Sequence, residues 1–249
     1  EEEFENALHL VQYIMNTLGL TEYGYRFSKW NPEDKGKYID NPKAWEESQA
    51  SLKKILDKQG LKYEEAAGEA AFYGPKLDIQ MKNVWGKEDT IFTLQIDFAL
   101  PERFDMEYID RNNSRIRPIV IHRSSIGCYE RTIALLIEKY AGAFPLWLAP
   151  VQVMLINITD EQINYLKNIE KILKENNIRV ETDLRNEKMP NKVKDAIVRK
   201  IPYMFIIGKN EEKDGSVSVR TYKEGNLGSY NFMEYVNKLK KEIEEKVIR

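Results

Sequence analysis

The sequence predicts two folding units of different class. An α+β unit built on an antiparallel sheet is followed by an α/β unit with a mostly parallel mixed sheet. Three observations carry this. Short β-rich runs separated by turn signals fill much of the first half, between and after two amphipathic helices. A join with two prolines, AGAFPLWLAP at 141–150, interrupts the pattern. Beyond it, apolar strands alternate with amphipathic helices in the order β-α-β-α-β-β-α, as expected when helices cover both faces of a sheet.

In the first unit, FENALHLVQYIMNTLG (4–19) repeats its apolar residues at helical period and ends on Gly19, a C-cap signal. YRFSKWNPEDKGKYIDNP reads as a short strand running into a polar, turn-rich stretch. KAWEESQASLKKILDKQG (43–60) is a second amphipathic helix that closes on Gly60. GEAAFYGPKLDIQMKN (68–83) combines small residues, Gly-Pro and an alternating run, which predicts a loop feeding a strand. TIFTLQIDFAL (90–100) is β-rich, and 104–123 reads as two strands joined at DRNNS, a hairpin signal. A helix is expected over 124–140.

In the second unit, VQVMLINI (151–158) is a nearly continuous apolar strand. Thr159 and Gln162 have capping-box spacing for a helix over 160–177. Strand 179–184, helix 191–200, strands 203–208 and 216–221, and a last helix capped by Asn231 with Glu234 complete the order. The division is placed at 1–145 and 146–249.

The 249 residues, 42% hydrophobic and 31% charged, have globular composition. One cysteine excludes a disulfide framework and points to a reducing compartment. No apolar run approaches the ~20 residues of a membrane span, and there is no signal-peptide core. The chain opens inside a helical pattern without Met, which reads as a piece of a longer protein. A net charge of −2 gives no global attraction to nucleic acid, so RNA contacts would come from local patches.

Both His122 and the lone Cys128 fall in IHRSSIGCYERT, at the end of an apolar strand. A lone His there is more often structural than a ligand, and a zinc ion needs several N, S or O ligands. The only other histidine, His9, lies mid-helix, and Cys128 reads as a small buried residue. Composition alone therefore builds no zinc site. Gly127, in the first turn of the expected helix, costs about 1 kcal/mol relative to Ala unless something approaches its backbone closely. Arg131 could stack on a base or pair with phosphate, or simply be solvated beside Glu130. GEAAFYGPK, with Phe72, Tyr73 and Lys76, suits a loop over a polar small molecule, although tight turns are commoner. LRNEK (184–188) follows a strand's C-terminal end, where open α/β sheets place ligands. Lys188, Lys192, Lys194, Arg199 and Lys200 form a basic cluster that would hold phosphates or be a solvated face.

GEAAFYGPK, TLQIDFALPERFD, IHRSSIGCYER, EKYAGAFPLWLAPVQV and LRNEK…KIPYMFIIG…VSVRT stand in the order found in threonyl-tRNA synthetases. The resemblance covers essentially the whole chain. It implies the end of a class II synthetase catalytic core, present in part, followed by an anticodon-binding domain. It implies ATP-dependent activation of L-threonine and its transfer to tRNA(Thr), with Mg2+ accompanying ATP, a homodimer, a cytoplasmic setting and no membrane association. His122 matches a ligand of the family's Zn2+, whose other ligands, a Cys and a His, would lie upstream of Glu1, as would the motif 2 arginine. The zinc chelates threonine's hydroxyl and amino groups and so rejects valine. Arg131 matches the motif 3 arginine at the ATP adenine. Tyr73 matches a residue lining the threonine pocket, and Lys76, Thr93 and Gln95 match neighbouring substrate or ATP positions. Asn186, Glu211 and Arg220 match residues that read anticodon bases. The sequence departs from the family at Ala70, in place of Gly, and at Ile91-Phe92, in place of Cys-Gly. It departs again at Met189-Pro190, in place of Ile-Gly. Ile91-Phe92 keeps open a non-catalytic, RNA-binding or regulatory paralogue. Synthetases for proline, histidine or glycine share the second unit's plan but give no reason for His122.

Overall fold

A computed structural model describes residues 1–124 and 126–248. The chain forms two compact units, Glu1–Glu138 and the residues from Lys139 on.

The first unit contains α1 (Glu2–Thr17), β1 (Gly24–Lys29), α2 (Pro42–Lys58), β2 (Tyr63–Ala67), β3 (Lys76–Lys82) and β4 (Glu88–Asp97). The short helix α3 (Leu100–Arg103), strands β5 (Tyr108–Ile109), β6 (Arg115–Ile116) and β7 (Val120–Arg123), and helix α4 (Tyr129–Tyr140) follow. Helix α1 buries Phe4, Leu8, Val11 and Met15, the stripe its period dictates. Gly19 and Gly60 follow α1 and α2 with left-handed φ of 71° and 65°, conformations that only glycine adopts without cost. The main sheet runs β2-β1-β3-β4-β7. It is antiparallel except that β2 pairs parallel with β1, Tyr25 opposite Tyr63. The DRNNS hairpin forms as read, with Tyr108 opposite Ile116. Asp110 Oδ1 accepts from the backbone N–H of Asn112 and Ser114 inside its turn. The hairpin is a separate ribbon, however, and β7 alone returns to the main sheet.

The stretch that reads as merely turn-rich has a packing role. Trp30 stacks on the fully buried Trp45 of α2 at 5.1 Å, and Phe98 meets Trp45 edge-on at 5.1 Å. Tyr38 and Ala70 complete this cluster. The methyl of Ala70 is thus absorbed by aromatic packing, which accounts for a side chain there. Burying one such large side chain contributes about 1.5–3 kcal/mol.

The second unit holds β8 (Val153–Asn157), a 3-10 turn (Asp160–Gln162), α5 (Ile163–Glu175), β9 (Val180–Asp183), α6 (Met189–Val198) and β10 (Tyr203–Ile207). Helix α7 (Lys209–Asp214), β11 (Ser216–Thr221), β12 (Gly225–Asn231) and α8 (Phe232–Glu244) close it. Its sheet runs β12-β11-β10-β8-β9; β8 pairs parallel with β9 and β10, while β11 pairs antiparallel with both β10 and β12. Every residue of β8 and β10 is buried. Helices α5 and α8 cover one face through Leu166, Ile169, Leu173, Val236 and Leu239. Helix α6 covers the other through Val193 and Ala196, with Pro190 in its first turn.

Three local readings are corrected. Thr159 and Gln162 bond side chain to side chain at 2.7 Å rather than forming a reciprocal box, because the helix opens with a 3-10 turn. The helix expected from 124 begins at Tyr129, so Gly127 precedes it rather than lying in its first turn; Ser125 lies outside the described residues. Cys128 is exposed, not packed, and its thiol contacts Glu130.

Candidate functional site

Antiparallel register assembles the first site. Lys76 of β3 stands opposite Gln95 of β4, and Gln95 stands opposite His122 of β7. Directly opposed residues share a sheet face, so the three side chains form a row across adjacent strands. Alternation puts Thr93 and Asp97 on the same face of β4, while Leu94 and Ile96 face the other way and are buried. Tyr73 precedes β3 and donates its hydroxyl proton to Gln95 Oε1. Its ring lies 5.3 Å from that of His122. Burial first, and then the nearby Asp97 charge, push the Tyr73 hydroxyl above its ordinary pKa, which keeps it a donor at neutral pH. All five residues, Tyr73, Lys76, Thr93, Gln95 and His122, are half-buried.

Two buried carboxylates underlie this row, and neither was singled out by sequence. Asp78 accepts from Ser28 Oγ at 2.8 Å, Lys76 Nζ at 2.7 Å and Thr93 Oγ1 at 2.9 Å, tying three strands together. It holds Lys76 and Thr93 in one network. Asp97 is fully buried. Its Oδ2 lies 2.7 Å from His122 Nε2, and its Oδ1 accepts the backbone N–H of Ala99 and Leu100 at 2.9 Å each.

Arg131 stands apart from this row. It is exposed, and its Nη1 donates to the carbonyl of Thr90 at 2.6 Å. Between β3 and β4 the register shifts, with Ile79 opposite Phe92 but Gln80 opposite Thr90, so Ile91 is the extra residue of a bulge. Ile91 and Phe92 are both buried. The Ile91 carbonyl would lie 2.3 Å from a Cβ on Gly127, whose φ is 74°. The glycine is therefore required by close backbone approach. The unusual Ile91-Phe92 pair occupies the bulge and the core.

For a metal, the described residues contain no cluster of three His, Cys, Asp or Glu side chains. His9 is exposed on α1, 3.5 Å from Gln59 Oε1, and does not join His122. His122 itself fits one corner of a zinc site. Its ring is half-exposed on an open sheet face, one nitrogen is engaged by Asp97, and among the described residues no hydrogen bond claims the other.

In the second unit, Asn186 follows the C-terminal end of β9 and is exposed. Glu211 lies in α7, beyond the C-terminal end of β10, so parallel pairing brings both to one sheet edge. Glu211 Oε2 also accepts the N–H of Gly208 at 3.0 Å and caps its own helix. Arg220 stands opposite Met204, on the face that α6 covers, and its buried Nε has no partner among the described residues. The basic cluster does not form a single face. Lys192 is buried and donates to Asn157 Oδ1 at 2.8 Å, and Arg199 pairs with Glu181 at 2.8 Å. Lys200 bonds the Ala141 carbonyl, leaving Lys188 and Lys194 exposed.

Residues 1–140 match the tRNA synthetase class II core domain (G, H, P, S and T). The chain belongs to the class II tRNA synthetases. Residues 152–243 of this synthetase chain match the anticodon binding domain. It is 51% identical over 247 residues to the threonine–tRNA ligase of Clostridium botulinum (strain Eklund 17B / Type B), covering 99% of this chain and 38% of that protein. It is 44% identical over 250 residues to that of Oceanobacillus iheyensis, covering 100% of this chain and 39% of that protein. The synthetase chain thus spans well under half the length of these curated relatives. A crystal structure of the RNA binding domain of threonyl-tRNA synthetase from Cryptosporidium parvum Iowa II superposes with a TM-score of 0.88 at 28% identity. That match covers 97% of this chain and 60% of the other. No helix among the described residues is long and apolar enough to cross a membrane.

Proposed function

We propose that this chain works as the C-terminal part of a threonine–tRNA ligase, with residues 1–145 completing a catalytic core and 146–249 reading the anticodon. The observation that carries the reading is the in-register row Lys76–Gln95–His122, linked to Tyr73 and backed by Asp97. It offers a donor, an amide, an imidazole and a phenol on one open face, a set suited to a small polar amino acid. The relatives' shared name supports threonine. The fold accommodates Ile91 in the bulge and Phe92, opposite Ile79, in the core, and the relatives' shared name does not favour a non-catalytic paralogue.

In this reading His122 is a ligand of Zn2+, together with residues preceding this chain. The ion, when bound, supplies an electrophilic centre that tells a hydroxyl from a methyl group. Tyr73, hydrogen-bonded to Gln95, lines the threonine pocket. Lys76 and Thr93, tied together by Asp78, form its neighbouring wall. Arg131, an exposed guanidinium anchored on Thr90, stacks on the adenine of ATP. The carboxylate of threonine would attack the α-phosphate of ATP with loss of pyrophosphate, and a terminal hydroxyl of tRNA(Thr) would then take the threonyl group from the resulting mixed anhydride with release of AMP; Mg2+ brought in with ATP would offset the phosphate charge. A homodimer in the cytoplasm is the expected setting.

In the second unit, Asn186, Glu211 and Arg220 present polar edges to unstacked bases. In the full-length enzyme, Arg220→Ala is expected to raise KM for tRNA(Thr) about 10–100-fold, a loss of 1–3 kcal/mol. Threonine-dependent pyrophosphate exchange should stay unchanged. Aminoacylation kinetics beside exchange kinetics check this; an unaltered KM for tRNA would remove Arg220 from the anticodon site.

A further inference from the structure

We propose that Asp97 is the positioning residue of the metal site: it fixes the tautomer and ring orientation of His122 so that Nδ1 is the atom offered to the metal. This rests on the reading of His122 as a ligand. A carboxylate accepts hydrogen bonds and cannot donate them. The 2.7 Å contact therefore places the imidazole hydrogen on Nε2 and leaves the Nδ1 lone pair free. Asp97 can hold the ring because it is itself held. It is fully buried, and its other oxygen accepts two backbone N–H groups, from Ala99 and Leu100, where the chain turns from β4 into α3. The strand pairing supports the same orientation. Gln95 stands opposite His122 and Asp97 lies two residues on along the same face, so the carboxylate approaches the ring diagonally. Carboxylates behind ligating histidines tune metal affinity about 10–100-fold.

Asp97→Asn tests this in the full-length zinc enzyme. The two backbone N–H groups require an oxygen at Oδ1, so the new amide must turn its NH2 toward His122 Nε2. That nitrogen must then accept, the ring hydrogen moves to Nδ1, and the metal loses its donor. Zinc affinity, measured by competition with a chelator, is expected to fall about 10–100-fold while the melting temperature holds. In a His122→Ala background the same substitution should produce no further loss. An Asp97→Asn protein that melts normally and binds zinc as tightly as the unaltered enzyme would overturn the proposal. If the variant does not fold, a crystal structure of the unaltered zinc-loaded enzyme decides: metal on Nδ1 of His122 supports it, and metal on Nε2 overturns it. If His122→Ala itself keeps its zinc, the ligand reading fails and takes this proposal with it. If His122→Ala loses zinc while Asp97→Asn does not, only the role of Asp97 fails.

Discussion

His122→Ala is expected to strip zinc from the full-length enzyme and to abolish threonine activation with it. Altering a residue that only orients a metal ligand costs about 10–100-fold in affinity, so deleting the ligand must cost at least ~100-fold. The half-exposed ring leaves an open sheet face when removed, not a core cavity, so folding should survive. Metal analysis of the purified variant should show little zinc, and kcat/KM for threonine should fall at least as far as the affinity. Zinc retained at the unaltered level would remove His122 from the metal site.

The second large effect is expected at Gly74. A Cβ there would lie 1.8 Å from the carbonyl oxygen of Ile96 and 2.9 Å from its carbon. These are backbone atoms of β4, an inner strand of the sheet, so nothing nearby can yield cheaply. Their closeness follows from the hydrogen bonding on either side: Ile96 N–H donates to the Pro75 carbonyl at 3.0 Å, and Phe98 N–H to the Tyr73 carbonyl at 3.3 Å. Gly74→Ala must pull this segment off β4, displacing Tyr73 from Gln95 and disturbing Asp97. The expected loss exceeds about 4 kcal/mol, beyond ordinary overpacking, or a fall in Tm of more than ~8 °C. Gly68→Ala is the control. Gly68 has φ of 82° but open space around it, so only the backbone cost of about 1–2 kcal/mol applies. Thermal melts of the two variants side by side check this; equal, small shifts would contradict the close approach.

What could be read in the sequence and what could not has a physical pattern. Strands β8 and β10 were legible because burial on both faces leaves an uninterrupted apolar run. Strand β2, YEEAA, was hidden because it is a sheet edge whose glutamates pair with Lys29 and Arg26, so solvent chemistry dominates its composition. Strand β12 was hidden by Gly225 and Gly228, residues that signal turns, although the ladder to β11 forms through them. The six-residue α7 carries no buried side chain and so no apolar period. At the site, the family resemblance singled out His122, Tyr73 and Arg131, where residue types alone left them open, but their grouping depends on register. Lys76, Gln95 and His122 meet only through the pairing of three strands, and composition does not announce which residues stand opposite one another. Asp97 had a signal that went unread: in TLQID, Thr93, Gln95 and Asp97 alternate with apolar residues, the mark of a polar face on a half-buried strand. Lys192 shows the reverse error, since a lysine assigned to an exposed basic face is a buried strut on Asn157.

The most direct test of the account is ATP–pyrophosphate exchange by the full-length enzyme with threonine, valine and serine in parallel. The account predicts strong exchange with threonine, which falls away when zinc is removed, and almost none with valine, which has threonine's shape but lacks its hydroxyl. Exchange that ignores zinc, or that accepts valine as readily as threonine, would contradict it.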